Sequence, residues 1–340
     1  VARLRPLLDA VLDADALAAR VAADPVEFPR RYTDPRDVEV AGLLAAALAY
    51  GRADLFKPKV AGLLARMGPS PAAFVRALDV AGAARLLEGF VYRFNVGTDV
   101  AVLLLGMGGV LRELGSLEAL LVRELERAGG ALHPALSGFT ASLRAAAPLG
   151  PLREALGPER GLAHLLPVPL GAGAAKRLHM YLRWMVRGPD AVDLGVWRRL
   201  SPSQLLVPLD THTGRMAQQL GLTRRKDLTW RTAEEVTAAL RLLDPEDPVR
   251  YDFALCHFGM SGACPAHVRA EACARCPLLG ECRVGPRKVR AAEREAGRGA
   301  GQGAGARAGP DAAPSARATA PRRPGARAPR AAATRGAAGR

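Results

Sequence analysis

Residues 251–282 read YDFALCHFGMSGACPAHVRAEACARCPLLGEC, an apolar helical run that leads directly into a loop crowded with cysteine. Four of the five cysteines, Cys264, Cys273, Cys276 and Cys282, follow the pattern C-x8-C-x2-C-x5-C. Thiolates this close in sequence can close around one metal centre, with Cys273 and Cys276 as the chelating turn and Cys264 and Cys282 arriving on longer arms. A [4Fe-4S] cluster and structural zinc both accept four cysteines, and the spacing does not choose between them. Cys256 stands outside the quartet, in the apolar run, and reads as a buried, inert thiol. An odd, clustered set suits metal ligation in a reducing compartment better than a disulfide framework, so the expected location is cytoplasmic.

Working outward, apolar residues recur at helical spacing through the first 285 positions, for example Val100, Leu103, Leu104, Met107, Leu111 and Leu114. Strand-like alternation is scarce. The pattern predicts helices over 37–50, 60–67, 70–77, 99–114, 116–127, 176–187, 211–220 and 232–243, broken by signals such as Gly150-Pro151 and Asp244-Pro245. The expected fold class is all-α. The most continuously apolar stretch, 100–111, falls well short of the roughly 20 residues that span a bilayer, and no membrane partner is expected.

Beyond Arg287 the sequence becomes Ala, Gly, Pro and Arg without periodicity, which predicts a disordered basic tail over 287–340 after a domain over 1–286. The formal charge is +15, and +10 of it belongs to the tail. With 43 Arg against 5 Lys, base composition accounts for part of that charge. A polyanionic partner is permitted by it and not demonstrated.

The run into a four-cysteine loop resembles the carboxyl end of the endonuclease III branch of the helix-hairpin-helix DNA glycosylases, whose loop (here 264–282) binds a [4Fe-4S] cluster. Its last two cysteine intervals match, and the first is two residues longer here. A second resemblance is Pro208-Leu209-Asp210-Thr211-His212, similar to the family's P-x-D-T-H segment, in which the aspartate is catalytic. Asp210 also suits a helix N-cap, and the two roles are compatible. Upstream, Leu166 to Lys176 resembles the phosphate-holding hairpin, with Gly171 and Gly173 for the tight turn and Lys176, one residue late, as the lysine of bifunctional members. The stretches DPRDVEVAGLLAAALAYGR and KRLHMYLRWMVR, with VDLGVW and RLLDPEDPVRYDFAL, resemble a bacterial family without assigned function.

The resemblance implies a two-lobed helix-hairpin-helix fold, with DNA as partner and excision of an altered base, joined by abasic-site lyase activity if Lys176 is the nucleophile and monofunctional if Asp210 instead activates water. The expected state is a monomer. Asp210 and Lys176 would be catalytic. A neutral Lys176 amine would need burial or a cation such as Arg177 or Arg183 to lower its pKa. A helical wheel from Lys176 puts Arg183 and Arg187 on its own face, opposite Leu178, Tyr181, Leu182 and Met185, with His179 at the edge. Gly171, Gly173, Arg177, Arg183, Arg187, His212, Arg269 and Arg275 are the expected DNA contacts. The rival expectations are a non-catalytic nucleic-acid-binding protein of the same fold and a zinc-stabilised interaction protein.

Overall fold

The computed structural model describes residues 3–12, 14–168 and 173–303, so Gly171 of the expected hairpin and positions 304–340 of the expected tail lie outside the described residues. The chain divides into two units, Val1–Glu293 and Arg294–Arg340. Among the described residues, the first unit's regular structure is helical apart from one small hairpin and an isolated bridge. In chain order come α1 (Leu4–Asp9), α2 (Ala14–Val21), two 3-10 turns, α3 (Pro35–Leu48), α4 (Ala53–Met67), α5 (Pro71–Ala77) and α6 (Val80–Leu87). The antiparallel hairpin β1 (Val91–Tyr92) and β2 (Asn95–Val96) pairs Val91 with Val96 and Tyr92 with Asn95. Then follow α7 (Gly97–Leu114), α8 (Leu117–Arg127), α9 (Leu132–Ala145), α10 (Leu149–Leu156), α11 (Leu162–Leu165), α12 (Lys176–Val186), α13 (Thr211–Leu220), α14 (Trp230–Arg241), α15 (Asp252–Met260), α16 (Ala270–Ala274) and α17 (Gly285–Gly303).

The helix starts are written in short-range chemistry. Asp34, Ser70, Asp79, Ser116 and Asp210 each turn a side-chain oxygen onto a backbone N–H of the first turn, which satisfies donors that a helix start leaves orphaned. Gly115 and Gly221 close α7 and α13 in the left-handed conformation. Most predicted helix ends fall within two residues of the observed ones, and two boundaries differ by more. Helix α4 begins at Ala53 rather than 60, because Pro58 is accommodated one turn inside the helix instead of ending it. Helix α17 continues to Gly303, where a structureless tail was expected from 287. Ala, Arg, Glu and Lys are strong helix formers, and here they outweigh the interspersed glycines.

One apolar core runs through the first unit, and α3 and α7 are buried along almost their whole length. Helix α7 lies against α5, α6, α9 and α10. The approach is close: a Cβ on Gly108 or Gly106 would stand 2.0 Å from the Val75 carbonyl oxygen or 2.2 Å from that of Leu143. Helix α12 packs on α3, and α13 on α15. Trp184, Trp197 and Trp230 are all core residues, and burying such side chains contributes about 1.5–3 kcal/mol each. The amino end meets the carboxyl end of this unit: the Tyr251 hydroxyl donates to Asp9 at 2.9 Å, and Arg250 pairs with the same carboxylate at 3.6 Å. Among the described residues no single helix is long and apolar enough to cross a membrane.

Candidate active site and metal pocket

Two helix starts converge. Lys176 is the first residue of α12, and Asp210 caps α13, where its Oδ1 accepts from the His212 and Thr213 N–H groups at 2.9 Å each. Its other oxygen, Oδ2, lies 3.6 Å from Lys176 Nζ, with the lysine side chain 32% exposed and the aspartate 22%. The pair is therefore recessed but reachable from solvent. The cap fixes the carboxylate at one oxygen and aims the other at the amine.

Helix α15 closes the recess from the other side. Cys256 points its thiol at Asp210 Oδ2, 3.6 Å away. Burial, then Asp210 and Asp252, push that thiol's pKa up, so the sulfur is a neutral S–H donor. Asp252, one turn earlier, is pushed up to about 6, chiefly by burial, against the pull of Arg183 and with the push of Asp210. Burial also works against the Lys176 ammonium, but Asp210, with Asp24 and Asp252, outweighs it and the amine's pKa is raised. Asp210 is lowered: burial opposes its charge, while Lys176 and the capping N–H groups more than offset that. The resting pair is ammonium and carboxylate. The lowering that a neutral Lys176 amine would need, from burial or a cation, is outweighed by the acidic groups around it.

Arg183 and Arg187 are corrected as well. The Arg183 side chain is 3% exposed and bonds Asp193 and Asp252 at 2.9 Å each. Arg187 is held by Asp190, by Asp193 at 2.8 Å and by Asp247 at 2.7 Å. Neither presents its charge to a phosphate. The helical wheel failed because it assumes one buried face, whereas every residue from Leu178 to Val186 is buried. His179 is buried too, with neither ring nitrogen partnered. Arg177 is half-buried, donates to the Ala47 and His164 carbonyls and lies 5.2 Å over the Tyr50 ring.

Gly173 forms an isolated bridge to Thr229, and a Cβ there would meet nothing within 4 Å. The tight-turn conformation falls instead on Ala175, with φ +47°. The His212 ring is half-buried, its Nδ1 unpartnered. Arg269 and Arg275 are exposed on the cysteine loop.

Cys264, Cys273, Cys276 and Cys282 line one pocket with Met216, Gln219, Leu278 and Gly285. A Cβ on Gly285 would sit 3.5 Å from the sulfurs of both Cys273 and Cys282, and its backbone N–H donates to Cys282 Sγ at 3.3 Å. The position thus leaves room beside two sulfurs and supplies a donor to one of them. The Cys264 thiol donates to Gln219 Oε1 at 2.9 Å. Burial, and then neighbouring cysteines, raise the Cys264 and Cys273 pKa values. A cation among the four would reverse that repulsion and release their protons. Among the described residues, no group of three or more His, Cys, Asp and Glu side chains is arranged to hold a single metal ion. The four sulfurs nonetheless line one pocket, and four cysteines are a donor set that iron-sulfur clusters and zinc both accept.

Helix α13 links the two places. Asp210 is at its start, Met216 and Gln219 face the cysteine pocket, and Arg215 bonds the Gly259 and Cys264 carbonyls at 2.9 and 2.8 Å. The sequence reading missed Asp24 and Asp252 and took Cys256 as inert. The one available signal was the i, i+4 spacing of Asp252 and Cys256, which sets both on one helix face.

In comparisons with known proteins, no curated protein and no solved structure matches the chain. Residues 24–261 match DUF2400, described as a protein of unknown function. That segment includes Asp24, Lys176, Asp210, Asp252 and Cys256 and stops three residues before Cys264. Because the match extends over more than half of its length, the chain belongs to the DUF2400 family.

Proposed function

We propose that the chain is a DNA-binding enzyme of the helix-hairpin-helix glycosylase kind, two-lobed, with base-excision and abasic-site lyase activity centred on Lys176 and Asp210. The observation that carries this reading is the 3.6 Å approach of Lys176 Nζ to Asp210 Oδ2, from two helix starts 34 positions apart in sequence. The resemblance puts the amino-terminal helices in one lobe with the cysteine-bearing carboxyl end, and the contacts of Asp9 with Arg250 and Tyr251, just before α15, support that arrangement.

The chemistry follows from the pair. An altered base leaves with the electron pair of its bond to the sugar, and Asp210 stabilises the positive charge left there. On the aldehyde of an abasic sugar, Lys176 must first give up a proton, and Asp210 is the nearest acceptor. The neutral amine adds to the carbonyl carbon, water departs, and a Schiff base remains. Loss of an adjacent proton then expels the 3′ phosphate and cuts the strand. Cys264, Cys273, Cys276 and Cys282 would hold a [4Fe-4S] cluster, whose contribution would be structural, fixing the basic loop that carries Arg269 and Arg275.

A second reading, a nucleic-acid-binding protein without catalysis, draws on the acidic surroundings that keep Lys176 protonated. Borohydride trapping on duplex DNA with one abasic site separates the two. The expected result is a covalent adduct in the wild type that is absent in Lys176→Ala and much reduced in Asp210→Asn. DNA binding with no adduct in the wild type would leave only the second reading, and an adduct undiminished in Lys176→Ala would remove the assigned nucleophile.

A further inference from the structure

The residue after Lys176 leads away from the acidic recess to a cluster of rings. Arg177 lies 5.2 Å over Tyr50, and Tyr50 stacks on Phe94 with centroids 5.4 Å apart and 20° between planes. His164 meets Tyr50 and Phe94 edge-on, at 4.6 Å each, and Tyr92 leans on Tyr50 at 4.7 Å.

Phe94 sits in the turn between β1 and β2 and is 44% exposed, an apolar ring held in place from beneath and open above. Its neighbour Arg93 is exposed, has φ +53°, and lays its guanidinium against Gly51, where a Cβ would come within 2.6 Å of Nη1. Burial, with Arg177 and Arg93, holds His164 down at about 4, so its ring is neutral and the cluster's positive charge comes from the arginines.

We propose that Phe94, backed by Tyr50 and His164 and flanked by Arg93, is a stacking platform for an unpaired nucleobase of a nucleic-acid strand held at the Lys176 site. The inference rests on the reading that the chain binds nucleic acid, and it goes beyond it by assigning where a base, rather than a phosphate, is held. An exposed ring with an exposed guanidinium beside it suits a planar, polyanion-linked aromatic: the base stacks on Phe94, and Arg93 meets the backbone charge. The core does not require the exposed ring surface, and a purely phosphate-binding patch would not need rings.

The experiment compares two probes in a Lys176→Ala background, so that no chemistry consumes them. One is a fluorescein-labelled single-stranded thymidine oligonucleotide. The other is a base-free tetrahydrofuran phosphodiester of the same length. Phe94→Ala is expected to weaken binding of the oligonucleotide about tenfold and to leave the base-free polymer unaffected. Phe94→Trp is expected to retain affinity, with its emission quenched by the oligonucleotide and not by the base-free polymer. An equal effect of Phe94→Ala on both probes, or on neither, overturns the platform alone. Failure of the unsubstituted protein to bind either probe overturns the nucleic-acid reading and the platform with it.

Discussion

At the residue scale, the decisive fact is the balance of charge around Lys176. The chain has only five lysines, so their individual reactivity can be followed by mass spectrometry. Reductive methylation with formaldehyde needs the neutral amine, and Asp210 stabilises the ammonium. In wild type at pH 8, Lys176 is therefore expected to label more slowly than Lys59 or Lys226. Removing the carboxylate in Asp210→Asn lowers the amine's pKa, and each unit is about a tenfold gain in neutral amine. Labelling of Lys176 should rise several-fold in that variant while Lys59 stays constant. Unchanged labelling would mean that the 3.6 Å pair does not control the amine. Asp210 was legible as a helix cap, where local chemistry dictates residue type, whereas Lys176 follows no short-range rule and was singled out only by the resemblance. The fates of Arg183 and Arg187 were not legible, because their partners Asp193, Asp247 and Asp252 come from elements whose packing no short-range rule fixes.

At the element scale, the cysteine loop is the part least able to hold itself. Helix α16 is five residues long and buries none of them, and the 3-10 turn Leu279–Glu281 buries none either. Leu278, at 1% exposure, is the loop's main anchor. Segments with so few apolar contacts open readily, and ligation by four sulfurs would close them. Trypsin should therefore cut the metal-free protein quickly at the exposed Arg269 and Arg275. Reconstitution with iron and sulfide under reducing conditions should protect both sites, with absorbance near about 400 nm and about four iron atoms per chain. Cys276→Ala should stay sensitive after the same treatment. Protection by one zinc per chain, with no cluster formed, would assign the loop to zinc instead. That the four cysteines share one pocket was readable because residues so close in sequence meet locally. The links from Arg215 to the Cys264 carbonyl and from Gln219 to the Cys264 thiol were not, since they join helix α13 to a loop 45 or more positions away.

At the scale of the whole molecule, the all-α class followed from apolar residues at helical spacing and the scarcity of strand-like alternation, even though α3 and α7, covered on nearly every side, carry apolar residues nearly throughout instead of in one stripe. What periodicity could not supply was the division at Glu293, since helical composition continues across it. The charge is unevenly shared by that division. Positions 294–340 contain ten arginines against Glu295 and Asp311. If these arginines neutralise DNA phosphates, they do so without sequence preference, and each contact contributes about 0.9 to the slope of log affinity against log salt on duplex DNA. A chain ending at Glu293 retains Lys176, Asp210 and all four loop cysteines. Anisotropy titrations with a duplex over a range of potassium chloride should give that chain a shallower slope than the full one, by about 2 or more. Borohydride trapping at low salt should be affected far less, because the adduct depends on the recess and not on the charge beyond 293. Identical slopes would show that the arginines beyond 293 make no phosphate contacts, and the basic composition there would then carry no argument for a nucleic-acid partner.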